Sequence, residues 1–65
     1  MTIAERVRNY RSEHGMTQEE MARSLGITQP MYNYYENGKK KPSAINSIKL
    51  AKLLKITVEE LFNET

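Results

Sequence analysis

The sequence predicts an all-α fold, five short helices around one core, in a single domain over residues 1–65. Three observations lead there. Ser or Thr precedes each apolar stretch, and Glu follows Thr at the third place in Thr2–Glu5, Thr17–Glu20 and Thr57–Glu60. That is the spacing of a capping box, in which hydroxyl and carboxylate each satisfy an amide that the helix end leaves unpaired. Apolar residues then recur three and four places apart, and no run alternates as a strand would. Gly15, Gly26, Asn37-Gly38 and Pro42 close the segments.

The first helix spans Thr2 to Glu13, with Ile3, Val7 and Tyr10 on one face and Arg6, Arg8 and Arg11 on the remaining surface. Gly15 ends it. His14 is left exposed at that end, where partial positive charge suits the helix dipole, and Met16 packs inward. Thr17 caps a second helix whose apolar face is Met21, Ala22 and Leu25; Gly26 then supplies a left-handed stop. Thr28 caps the third. Pro30 sits in its first turn, where the missing N–H is not needed, and Tyr32 and Tyr35 face inward. After Asn37-Gly38 come Lys39, Lys40 and Lys41. Pro42 breaks the chain and Ser43 caps a fourth helix through Leu54. Its core face is Ile48, Leu50, Ala51 and Leu54, with Lys49, Lys52 and Lys55 toward solvent. Thr57 opens a fifth helix carrying Leu61 and Phe62.

Composition removes several classes of function. A chain of 65 residues is near the lower size limit for folding without a staple. With no Cys there is neither a disulfide framework nor a thiolate metal site, and His14 has no second ligand beside it, so no metal or cofactor is expected. No apolar run approaches the ~18 residues of a membrane span, and the N-terminus lacks an apolar signal region. A cytoplasmic protein is expected, nucleoid-associated when bound. The net charge is +2. Beyond residue 54, Glu59, Glu60 and Glu64 outnumber Lys55, so the cationic surplus lies upstream, where the three lysines form one run.

The segment Thr17–Glu36 carries the functional signal. A helix, a short turn containing Gly and a second helix match both a helix-turn-helix unit and an ordinary helical hairpin. The outer side of the second helix separates them. Thr28, Gln29, Asn33 and Tyr34 point away from Tyr32 and Tyr35 and carry no charge, whereas a helix facing only water more often displays Glu and Lys. An amide-bearing face suits base edges, because Gln or Asn can pair with adenine N6 and N7. Beside such a face, the Lys39–Lys41 run becomes a phosphate contact rather than a solvated loop.

TQEEMARSLGITQPMYNYYENGKKKPS resembles the helix-turn-helix core of the Cro/cI-type (Xre) bacterial and phage transcriptional regulators. The specific marks are Thr17-Gln18-Glu19-Glu20, Ala22 with Gly26, and Glu36-Asn37-Gly38 followed by Pro42; the likeness extends from Arg11 to Glu60-Leu61-Phe62. The resemblance implies a lambda-repressor-like five-helix domain whose third helix enters the major groove. It implies that Gln18 grips a phosphate, that Gln29 reads a base, and that Thr28, Asn33 and Tyr34 face the groove. Asn37, Lys39 and Lys41 would touch the backbone, and Arg11 with Glu36 would form a buried salt bridge. There are departures. Pro30 stands where many relatives carry a polar residue, though it can pack against a thymine methyl. Tyr35 replaces a Trp or Leu, and Lys55 stands where Gly often ends the fourth helix. Ala44 occupies a position that in some phage relatives holds a basic residue for the minor groove.

A sequence-specific regulator acting as a homodimer on a near-palindromic operator is the first expectation. Leu53 and Val58, the apolar residues least explained by the core, are the candidate dimer contacts, against the alternative of ordinary exposed hydrophobes. The rival is a protein-interaction module, antitoxin-like or co-regulatory, that keeps the fold but binds a protein partner. An enzyme is disfavoured: there is no nucleophile–base pair, metal cluster or Gly-rich phosphate loop, and no small-molecule ligand is expected.

Overall fold

Every helix starts at a hydroxyl. Thr2, Thr17, Thr28, Ser43 and Thr57 each accept a hydrogen bond from the amide three residues on. They open α1 (Ile3–Glu13), α2 (Gln18–Leu25), α3 (Gln29–Glu36), α4 (Ala44–Leu54) and α5 (Val58–Phe62). This computed structural model describes residues 1–63, and no strand occurs among the described residues; Glu64 of the acidic end lies outside them. At Thr2, Thr17 and Thr57 the capping box is complete. The cap amides donate to Glu5, Glu20 and Glu60 at 2.8, 2.9 and 3.0 Å. Those backbone donors hold all three carboxyls below their ordinary value of 4.5.

Four of the five far ends, all but that of α5, are equally uniform. Gly15, Gly26, Gly38 and Lys55 take left-handed backbone angles, with φ of 59°, 66°, 71° and 59°. The amide of the next residue then returns to the carbonyl five places back: Met16 to Arg11, Ile27 to Ala22, Lys39 to Tyr34 and Ile56 to Ala51, at 2.9 to 3.0 Å. This Schellman closure turns the chain in two residues and satisfies carbonyls that the helix end would strand. At Lys55 the same turn is made by a residue with a Cβ, which crowds the following carbonyl oxygen.

Val7, Met21, Tyr32, Leu50 and Leu61, one from each helix, are fully enclosed and form the centre of the core. Ile3, Ala22, Leu25 and Tyr35 surround them. Full burial of such a side chain contributes roughly 1.5–3 kcal/mol, so no helix is dispensable to so small an interior.

Two helices sit differently from the sequence expectation. On α4 the inward stripe is Ser47, Leu50, Ala51 and partly Leu54; Ile48 is 49 % exposed. Ser47 can be buried because its hydroxyl donates to the Ser43 carbonyl at 2.7 Å, and that leaves Ile48 one step round the helix, in solvent. On α5, Leu61 is buried but Phe62 is exposed. Nor do the α1 arginines share a free surface. Arg6 donates to the Glu60 carbonyl at 3.2 Å, while Arg8 and Arg11 reach α3. Leu53 packs half-buried against the core, and Val58 is exposed.

Candidate nucleic-acid interface

The last residue of α3 pins that helix to the rest of the domain. Glu36 is enclosed, and its carboxylate accepts from Arg11 Nε at 3.0 Å and Arg11 Nη2 at 2.9 Å, a two-pronged ion pair. Gln18, the first residue of α2, donates to the same carboxylate at 3.1 Å, and Arg8 donates to the Glu36 carbonyl at 3.0 Å. Arg11 also reaches the Met16 carbonyl at 3.3 Å. One point therefore ties α1, the start of α2 and the end of α3. Burial pushes the Glu36 carboxyl up, but the Arg11 donors outweigh it and hold the group below the ordinary 4.5. The Tyr32 hydroxyl is enclosed beside this carboxylate, outside hydrogen-bonding geometry. Burial, and then the neighbouring Glu36, keep the phenol well above its usual range. On the other flank, Asn46 of α4 donates to the Tyr35 hydroxyl at 2.8 Å.

With its inner side fixed at Tyr32, Tyr35 and Glu36, α3 presents Thr28, Gln29, Pro30 and Tyr34 to solvent. Asn33 is different. It is half-buried, and its Oδ1 is enclosed without a partner. Rotating the amide by half a turn only exchanges which of its two polar atoms is withdrawn, so in this arrangement Asn33 offers one hydrogen-bonding edge, not two. A paired contact with adenine from Asn33 is therefore not available without moving its side chain; Gln29 carries no such restriction. Gln18, expected at a phosphate, lies half-buried at the rim of an open hollow lined also by Thr17 and Gln29, with one N–H of its amide donated to Glu36.

Asn37, Lys39, Lys40 and Lys41 are all exposed beyond the C-terminal end of α3. Lys40 does not simply extend into solvent: its Nζ stands 4.8 Å from the centroid of the Tyr34 ring. His14 is exposed at the end of α1, as its position suggested, stacked on Tyr10 at 3.9 Å. Among the described residues no group of His, Asp or Glu is placed to hold a metal ion, and no helix is long and apolar enough to cross a membrane. Sequence reasoning missed Arg8 and Asn46 as clamps on α3. Both are exposed-looking polar residues whose partners lie 28 and 11 positions away, and no local spacing announces such contacts.

A helix clamped along its inner side, opened by a Thr cap and joined by a Gly turn to the helix before it, completes a helix-turn-helix unit. A helix-turn-helix family model matches residues 7–61, and the chain belongs to that family in its Cro/cI (Xre) form, a family of transcriptional regulators. The chain is 37 % identical over 57 residues to an uncharacterized HTH-type transcriptional regulator of Archaeoglobus fulgidus, covering 88 % of this chain and 81 % of that protein. It is 39 % identical over 61 residues to the cryptic phage CTXphi transcriptional repressor RstR of Vibrio cholerae, covering 94 % of this chain but only 54 % of the repressor. In fold it matches the P22 c2 repressor, solved in complex with a synthetic operator, with a TM-score of 0.86 at 20 % identity over 100 % of this chain and 98 % of that one.

Proposed function

We propose that this protein binds duplex DNA sequence-specifically as a homodimer and represses transcription at a near-palindromic operator. The observation that carries the proposal is the division of α3 into an inner side locked by the Glu36 cluster and an outer side that is exposed and uncharged. Such a ridge is held rigid before it meets its target, which spares the cost of ordering it on binding. Gln29, at the first position of the helix, pairs with adenine N6 and N7; Thr28 and the single free edge of Asn33 add one contact each; Pro30 and the Tyr34 ring pack against thymine methyls. The half-site they favour is rich in A·T pairs. Asn37, Lys39 and Lys41 hold the phosphates and set register without contributing sequence preference.

Two copies would place their reading helices about 34 Å apart on one side of the duplex. The contact between copies is carried by the half-buried Leu53 and the exposed apolar residues Ile45, Ile48, Val58 and Phe62. Selection of bound duplexes from a random pool tests the proposal. It is expected to return two inverted half-sites, and Gln29→Ala is expected to relax one base pair symmetrically in each. A pool that stays random for the native protein would refute DNA reading, and single unrepeated half-sites would refute the dimer.

A further inference from the structure

Beyond that reading, and resting on it, we infer that Lys40 is a positioning residue for recognition: its ammonium holds the Tyr34 ring in place on the reading face. The chain builds this arrangement step by step. Gly38 adopts φ 71°. Its amide returns to the Tyr35 carbonyl at 3.2 Å, and the Lys39 amide returns to the Tyr34 carbonyl at 2.9 Å. The turn after α3 is thus bonded to the very residue whose ring stands on the outer face, and the next side chain along, Lys40, is delivered above that ring at 4.8 Å. A cation at this distance is attracted by the negative face of the aromatic system.

The pairing matters because Tyr34 is otherwise loosely held. It is 40 % exposed, and among the described residues its hydroxyl has no hydrogen bond of the kind that fixes Tyr35 to Asn46. An unanchored ring samples several rotamers and loses that freedom on binding. Lys40 removes part of the loss beforehand. By fixing the ring, Lys40 shapes which base pair is preferred, whereas Lys39 only strengthens adhesion. The competing role for Lys40 is a plain phosphate contact, in which the ammonium leaves the ring once DNA arrives.

The two roles separate in one experiment. Lys40→Met keeps the aliphatic stem and removes the charge, Lys40→Arg keeps the cation, and Lys39→Met serves as the control. Each is titrated, with the native protein, against the selected operator, against operators altered at the base pair that Tyr34→Leu identifies, and against random duplex, at several salt concentrations. A positioning role predicts that Lys40→Met loses about two- to fivefold in discrimination at that one base pair, that Lys40→Arg restores it, and that Lys39→Met leaves it unchanged. The ring resonances of Tyr34 in the DNA-free protein should shift with Lys40→Met and return with Lys40→Arg. If Lys40→Met instead weakens every duplex by one common factor and lowers the salt slope by about one, the inference is overturned while DNA reading stands. If the native protein itself does not distinguish operator from random duplex, the functional proposal falls, and this one with it.

Discussion

Arg11→Met attacks the ion pair at the foot of α3 from its more damaging side, because the two partners are unequally enclosed. The Arg11 side chain is 30 % exposed and that of Glu36 only 6 %. Removing the guanidinium leaves an enclosed carboxylate with Gln18 as its remaining side-chain donor. Stranding a buried charge costs roughly 3–5 kcal/mol, and the surviving Gln18 bond places this case near the lower end, about 3 kcal/mol. Glu36→Gln leaves a guanidinium that already meets water, so its cost is smaller, about 1–2 kcal/mol. A domain of this size has roughly 3–10 kcal/mol in total, so the first change is close to unfolding it and the second is not. Urea denaturation followed by far-UV circular dichroism, at about pH 7 and about pH 3.5, measures both. The native Glu36 carboxyl sits below its ordinary 4.5, so its contribution is present above that value and is lost as pH falls through the folded value. Without Arg11, burial raises the carboxyl, and protonation relieves the variant. The gap between native protein and Arg11→Met should therefore narrow in acid. Arg11→Met combined with Glu36→Leu should be more stable than Arg11→Met alone. A cost below about 1 kcal/mol for Arg11→Met at neutral pH, or a larger cost for Glu36→Gln, would refute this account of how α3 is held.

Lys55→Gly should raise stability by about 1 kcal/mol, by removing the left-handed strain at the end of α4; a thermal midpoint no higher than that of Lys55→Ala would contradict it. Tyr32→Phe should be neutral or slightly stabilising, since the hydroxyl it deletes is buried without a hydrogen bond, and a clear drop in denaturation midpoint would show that the phenol has a bonding partner. Glu5, Glu20 and Glu60, like Glu36, all lie below 4.5 in the folded protein. The unfolded chain therefore takes up protons first as pH falls past that value, and stability should decline from there downward through the folded values. Melting temperatures that hold level to about pH 3 would overturn that assignment.

Much of this architecture was legible locally. The Thr and Ser caps, the three capping boxes and the Gly stops are interactions between residues three to five apart, and neighbours in sequence need no knowledge of the fold to make them. The inner and outer sides of α3 were legible for the same reason: Tyr32 and Tyr35 are buried and Gln29 exposed, as helical spacing requires. The orientation of α4 was not, because Ile48 and Ser47 are adjacent, and their polarity favours the wrong one for the interior. A hydroxyl bonded to its own helix made Ser47 the better fit.

The amino-acid sequence by itself determined where each helix begins and ends and which uncharged side chains α3 displays, since those follow from capping chemistry and a 3.6-residue period acting over a single turn. The Arg11–Glu36 pair was implied by the family resemblance, but only the tertiary structure decided that Arg8 and Gln18 join it, that one polar atom of Asn33 is withdrawn, and that Lys40 comes to rest over Tyr34. These contacts depend on the angles at which separate helices meet, and those angles are set by how five enclosed side chains fill one interior.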